Sequence, residues 1–302
     1  MRSQQFPSAE ARRILASLRP SEPDRSAAGL PRLRQEAKAR ATAEAPRILC
    51  ETRVTLRETV ICDVPCLELI PAGRAAEWPI LYGFGGGFVQ GSPIEDLPIA
   101  AHLCAATGAR VIIPDYRLAP EHPWPAPVDD AFAVYRDLAR RPLAIVGESA
   151  GGNLALVLMQ RARAAGLRLP GAAALMSPWC DLGNTGDSLR FNDGRDPSLS
   201  AQSSRMAVLH YVGDQPLDNP DISPIYGPFD IGFPPFVITT GTRDLHLSQA
   251  VRLSQVLRES GVRADLHVWE GLWHVFEWYD QLPEAEQSIQ RVGAHLISNM
   301  NP

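Results

Sequence analysis

A chain of 302 residues with 45% hydrophobic and 21% charged content has the make-up of a globular protein that can bury one large core. Its formal net charge of −5 gives no electrostatic ground for nucleic acid as a partner. Five cysteines, Cys50, Cys62, Cys66, Cys104 and Cys180, show no metal-like grouping, so scattered reduced thiols are expected rather than a zinc site or a disulfide framework.

Taken in chain order, Met1 to Pro7 leads into no apolar leader-like stretch, and no apolar run approaches the length of a membrane span. A cytoplasmic protein without a membrane span is expected. Residues 1–45 predict helices over Ala9 to Leu18 and Leu30 to Ala43, broken near Pro20 and Pro23. From about residue 46 strand-like runs begin: Thr52–Thr59, Cys66–Ile70, Pro79–Tyr82, Ala109–Pro114, Leu143–Val146, Ala172–Met176, Pro235–Thr240 and Ala264–Trp269. Helical patterns over about Ile94–Thr107, Ala126–Arg140, Ala150–Ala165, Ser248–Ser260 and Pro283–Ser298 separate most of the later ones. That alternation predicts an α/β fold, a mostly parallel sheet with helices on both faces and an antiparallel start.

Between the runs ending at Met176 and starting at Pro235 the connection is too long to be an ordinary loop. It holds Asp196-Pro197-Ser198-Leu199-Ser200 and a helix-like Ala201–Tyr211. The organisation expected is an N-terminal helical cap segment, 1–45, and an α/β domain, 46–302, with a cap insertion at about 185–225.

The run Leu143 to Val146 ends in Gly147-Glu148-Ser149-Ala150-Gly151, and a helical pattern follows at once. Strand, Gly-x-Ser-x-Gly, helix is the context of a nucleophile elbow, a turn too tight for Cβ atoms beside the serine. A serine hydroxyl needs a base, and the base an orienting acid. Of the seven histidines, His274 follows the Ala264–Trp269 strand on a loop; Asp244 follows the Pro235–Thr240 strand and gives the order Ser, Asp, His. A helix-capping role is the competing reading of Asp244, and Asp265, Asp230 and Asp221 are weaker candidates for the acid. Oxyanion donors are expected from Ala150 and from the glycine-rich loop Tyr82-Gly83-Phe84-Gly85-Gly86-Gly87-Phe88. No Gly-Lys-Ser/Thr accompanies that loop, so nucleotide binding is not indicated.

These segments, with Asp115-Tyr116-Arg117-Leu118-Ala119-Pro120-Glu121-His122-Pro123-Trp124-Pro125-Ala126 and Ser177-Pro178-Trp179-Cys180-Asp181, resemble the hormone-sensitive-lipase family of α/β-hydrolases, the bacterial family IV esterases and lipases. The resemblance spans about residues 78–276. It implies an α/β-hydrolase fold with an eight-stranded sheet and a small helical cap, and a serine carboxylester hydrolase needing no cofactor and no metal. It also implies Ser149, Asp244 and His274 as triad, Gly85, Gly86 and Ala150 as oxyanion donors, and a short- to medium-chain small-molecule ester as substrate, turned over through an acyl-enzyme. Phe84, Phe88, Trp179, Phe191 and Trp273 are the candidate pocket residues. A lactone or amide hydrolase using the same triad, acyl transfer to another acceptor, and a non-catalytic small-molecule-binding protein are the alternatives. A homodimer is one assembly open to the chain. Two positions depart from the family pattern: Phe84 stands where His is usual, and Glu148 where Asp is frequent.

Overall fold

The computed structural model describes residues 7–18 and 24–300. The expected break near Pro20 and Pro23, and the stretch before Pro7, lie outside them. In chain order the elements are α1 (Ala9–Ser17), α2 (Leu30–Thr52), β1 (Thr55–Ile61), β2 (Val64–Ile70), β3 (Ile80–Gly83), α3 (Leu97–Thr107), β4 (Val111–Pro114), α4 (Ala126–Leu138), β5 (Ala144–Glu148), α5 (Ala150–Ala164), β6 (Ala172–Met176), α6 (Ser188–Phe191), α7 (Ala201–Val212), β7 (Phe236–Gly241), α8 (Leu247–Glu259), β8 (Ala264–Trp269) and α9 (Pro283–Met300).

The eight strands form one sheet in the order β1-β2-β4-β3-β5-β6-β7-β8. β1 pairs antiparallel with β2, and β2 antiparallel with β4; every later pairing is parallel. This is the α/β-hydrolase fold. β5, β6 and β7 are buried along their whole length, as strands covered on both faces must be. α3 packs with α9, and α4 with α5, over this sheet.

One boundary differs from expectation for a physical reason. α2 does not stop at Ala43 but runs through Pro46 to Thr52, so β1 starts at Thr55 rather than Thr52. Proline removes one helix hydrogen bond, but burial of Ala45 and Ile48 on either side of it keeps this helix packed against the core. The turn ends where Arg53 takes a left-handed conformation.

α1 buries Ala11 in a small second cluster with Trp269, Leu272, Trp273 and Phe276. The N-terminal helix therefore lies behind the loop that follows β8. Among the described residues no helix is long and apolar enough to cross a membrane.

Candidate active site

β5, β7 and β8 run parallel on one half of the sheet, with β6 between the first two, so the loops at their C-terminal ends open on the same edge. The first of these loops is the elbow. Ser149 has φ 51° and ψ −118°, a conformation that costs energy for any residue with a Cβ. Its neighbours allow it: a Cβ on Gly147 would lie 2.1 Å from the Gly151 carbonyl oxygen, and one on Gly151 would lie 1.9 Å from that of Gly83. The Ser149 N–H donates to Met176 O at 2.9 Å and its carbonyl accepts from Trp179 N at 3.0 Å, which fixes the strained turn to β6 and the loop after it.

His274 Nε2 lies 2.9 Å from Ser149 Oγ, and His274 Nδ1 lies 2.9 Å from Asp244 Oδ1. The structure thus brings the three sequence candidates into one hydrogen-bonded line. Asp244 is fully buried; its other contacts are the Thr240 hydroxyl, donating to Oδ2 at 2.7 Å, and the His246 N–H, donating to Oδ1 at 2.8 Å. Burial would raise this carboxyl, but the His274 charge and hydrogen bond outweigh it and hold Asp244 well below the usual carboxylate range. For His274 burial pulls the imidazole down; the Asp244 charge and hydrogen bond, then the charges of Asp196 and Glu277, leave it above the ordinary histidine value.

Sequence reasoning missed Asp196 and Asn192, both from the long insertion. Asp196 Oδ2 accepts the Leu245 N–H at 2.9 Å and the His274 N–H at 3.3 Å. Asn192 Nδ2 donates to the carbonyls of Asp244 at 2.8 Å and Thr242 at 3.1 Å. The insertion therefore holds both the acid loop and the base loop from above. The run Asp196-Pro197-Ser198 is visible in the sequence, but its partners lie 49 and 78 residues further on.

The glycine loop requires a correction. Gly86 and Gly87 line the cavity with Ser149, and Gly85 does not. The Gly85 N–H instead faces the Glu148 carboxyl, where it opposes part of the upward shift that burial imposes on that acid. Among the described residues the N–H groups of Gly86 and Gly87 have no main-chain partner. Ala150, as the first residue of α5, has no helical partner for its own.

Four of the five pocket candidates also move. Only Trp179 lines the cavity, with Trp278 joining it. Phe84 lies behind the glycine loop, its ring stacked on Tyr116 at 4.0 Å with 2° between planes. Phe88 is buried against Tyr211 at 4.1 Å, and Trp273 belongs to the α1 cluster, edge-on to Tyr279. Phe191 is 62% exposed on the insertion. Aromatic residues close to the site in sequence were drawn into the core because three of these rings fill space under the loops rather than over them.

The Asp115 to Pro125 segment supports the site as well. Tyr116 Oη donates to Phe84 O at 2.6 Å and Ala119 N donates to Phe88 O at 2.9 Å, so both ends of the glycine loop are tied to it. Arg117 turns away to Asp130, with contacts of 2.8 and 2.7 Å.

The cavity over Ser149 measures about 140 Å³ and is lined on its insertion side by Ser198, Leu199, Ser203, Ser204 and Ala207. Asp244, His246 and His274 offer ligand-type atoms within 4.8 Å of one another. His274 has committed both ring nitrogens to Asp244 and Ser149, and His246 Nε2 faces Ser204 Oγ at 3.3 Å. Burial, with the His274 charge, brings His246 down to about 3, so it is neutral at ordinary pH.

A family model described as alpha/beta hydrolase fold matches residues 80–278. Among characterised relatives, an "Esterase" of Acinetobacter venetianus is 34% identical over 239 residues, 76% of this chain and 78% of that one. An "Acetyl-hydrolase" of Streptomyces hygroscopicus is 34% identical, covering 77% of this chain and 83% of its own. Among solved structures, an esterase from the bacterial hormone-sensitive lipase family superposes with a TM-score of 0.86 at 31% identity, over 98% of this chain and all (100%) of that one. EstE5 soaked with p-nitrophenyl butyrate gives 0.88 at 30% identity, over 98% and 100% of the two chains.

Proposed function

This chain belongs to the hormone-sensitive-lipase family of α/β hydrolases and is a carboxylic ester hydrolase, and from that premise we propose the residues and steps by which it works. Ser149 Oγ attacks the ester carbonyl carbon while His274 Nε2 takes its proton. The tetrahedral intermediate collapses to an acyl-Ser149 ester as the imidazolium returns that proton to the leaving alkoxide. Water, deprotonated by the same nitrogen, then releases the acid. Asp244 keeps Nδ1 protonated and stabilises the imidazolium. Gly86, Gly87 and Ala150 donate to the oxyanion, each such donor being worth about 3 kcal/mol in the transition state.

The observation that carries this reading is the line Asp244–His274–Ser149, with both of its links at 2.9 Å. A binding protein has no need of a base in contact with a strained serine, so the non-catalytic alternative leaves that geometry without a purpose. The cavity of about 140 Å³ supports short acyl groups, since sites for drug-sized ligands begin near ~300 Å³. Residues 1–45 and 185–225 act as the cap in this scheme, supported by the hold of Asn192 and Asp196 on the two catalytic loops. Cytoplasmic location belongs to the proposal, supported by five unpaired cysteines. So does a homodimer, supported by the open sheet edges at β1 and β8.

Hydrolysis of p-nitrophenyl esters from acetate to palmitate, wild type beside Ser149→Ala, tests the scheme. Turnover greatest at the short end and lost in the variant is the expected result. Turnover that survives in folded Ser149→Ala would overturn the assignment of the nucleophile.

A further inference from the structure

We infer that Arg25, at the mouth of the cavity over Ser149, recognises an anionic group on the substrate, so that the preferred esters carry a carboxylate. The inference rests on the proposed esterase reading of that cavity. It begins with a charge that has no ionic partner among the described residues. Arg25 lines the same cavity as Ser149, Gly86, Gln90 and His274. Its position is fixed from two directions: its carbonyl accepts from His210 Nε2 at 3.0 Å, and its Nη1 donates to Gln90 Oε1 at 3.0 Å. A guanidinium has five N–H donors, and among the described residues that amide oxygen is the one side-chain acceptor it meets.

No carboxylate among the described residues forms an ion pair with it. The acids of the adjoining groove face main-chain N–H groups instead: Asp24 that of Ser26, Asp193 that of Ala201, and Asp196 those of Ser198, Leu199 and Leu245. Burial pushes the guanidinium below its ordinary value, and no acid among the described residues pushes it back. It stays charged, because arginine does not lose its proton in this setting. A half-buried cation without a counter-ion is costly unless a ligand completes it.

Of the other titratable groups in the cavity wall, His274 is balanced by the Asp244 carboxylate at 2.9 Å, His246 is neutral, and Glu148, the one carboxyl, is pushed far up by burial and by Asp96. The cavity is therefore locally positive in a chain of net charge −5, the polarity that draws in an anion against the field of the whole molecule. Gln90 also places Arg25 next to the oxyanion loop, because the Gln90 N–H donates to Gly86 O at 3.0 Å. An ester held by Arg25 at its carboxylate lies in the same cavity as Ser149 and Gly86. Arginine suits that task through its planar pair of donors.

The test compares matched pairs of esters. On the acyl side the p-nitrophenyl monoester of glutaric acid is set against p-nitrophenyl valerate, which has a methyl group in place of the carboxylate. On the alcohol side carboxymethyl acetate is set against ethyl acetate, the same replacement. The readout is the ratio of kcat/KM, anionic over neutral, in wild type, Arg25→Gln and Arg25→Lys. In at least one pair wild type prefers the anion, the ratio falls about tenfold or more in Arg25→Gln, and Arg25→Lys recovers part of it. No anionic preference in either wild-type pair overturns the inference. So does an equal loss on both members of each pair in Arg25→Gln, since that is what a structural role would give. Valerate hydrolysis that depends on Ser149 keeps the esterase reading standing in either of those cases; no hydrolysis of any of the four esters brings down both.

Discussion

Asp196 and His274 meet through the main chain: one carboxylate oxygen of the insertion, Asp196 Oδ2, accepts the His274 N–H at 3.3 Å while also accepting the Leu245 N–H at 2.9 Å. The residue next to the acid and the base itself are thus set by one atom. Asp196→Ala removes that anchor from two loops, and small misplacements of catalytic groups cost about a hundredfold. We expect kcat/KM to fall ten- to a hundredfold with the fold retained by circular dichroism. Asp196→Asn adds a separate readout. The Asp196 charge is among the influences that hold His274 above its ordinary value, and the base acts when neutral. Removing that charge lets the imidazole lose its proton at lower pH, so the acid limb of the kcat/KM profile moves down. An unmoved limb with reduced activity would reduce Asp196 to a purely structural anchor.

The glycine loop separates two neighbouring substitutions. Gly86 has φ +103°, and a Cβ there would lie 2.1 Å from the Gln90 carbonyl oxygen, which cannot move without the loop. Gly85 lies outside the left-handed region, and a Cβ on it would meet Glu148 Oε1 at 2.1 Å, the end of a side chain. Gly86→Ala is expected to lower kcat by about a hundredfold or more with KM little changed, as loss of an oxyanion donor does. Gly85→Ala is expected to be rescued in part by Glu148→Asp, which withdraws the carboxyl. Steady-state kinetics of the two glycine variants, each alone and combined with Glu148→Asp, decide it; rescue of Gly86→Ala by Glu148→Asp would contradict the assignment of donors.

Phe84 holds the place of the usual histidine by packing. Its ring stacks on Tyr116, and its carbonyl takes the Tyr116 hydroxyl at 2.6 Å. The main-chain donors of the loop are thus held without an imidazole. Phe84→His, flat and of similar reach, is expected to stay folded with kcat within about tenfold of wild type. Phe84→Ala opens a cavity of the kind that costs about 3–5 kcal/mol and lets the loop sag. Thermal unfolding and p-nitrophenyl ester turnover check both; Phe84→Ala with wild-type melting and turnover would show that the stack supports nothing.

The three residues of the proposed catalytic line could be placed together from sequence because each follows a strand on a loop of recognisable length, and parallel strands deliver such loops to one edge. Legibility ends where direction matters. A run of three glycines does not say which N–H points at substrate; the Glu148 side chain decides that by occupying Gly85. Nor does sequence separation reveal that Asp196 reaches Leu245 and His274, contacts that exist because the insertion folds back over the sheet edge. Phe191 and Trp273 have the same aromatic character in sequence, yet one is exposed on the insertion and the other sealed behind α1. The expected end of α2 at Ala43 fell short similarly, because the sequence does not show that Ala45 and Ile48 are buried on either side of Pro46.

Beneath the elbow a pair of carboxyls predicts an inverted dependence of stability on pH. Asp96 and Glu148 are both fully buried, and the Asp96 charge opposes ionisation of Glu148, so ionising both at once is disfavoured. Burial pushes Asp96 up to about 7 despite the Trp278 indole N–H that donates to it at 2.8 Å, and it pushes Glu148 further. A carboxyl whose folded value lies above its unfolded value takes up a proton on folding. Its contribution is therefore least unfavourable in acid and worsens as pH rises from the unfolded value, near 4, to the folded one. Between pH 5 and 8 the wild-type melting temperature should fall through this pair. Asp96→Asn keeps an acceptor for Trp278 and removes the ionisation, so its melting temperature should fall less, and the gap between the two proteins should widen toward pH 8. Differential scanning calorimetry at pH 5, 6.5 and 8 measures that gap directly. A gap that stays constant or narrows would mean that Asp96 is ionised throughout, with its charge balanced by groups other than Glu148.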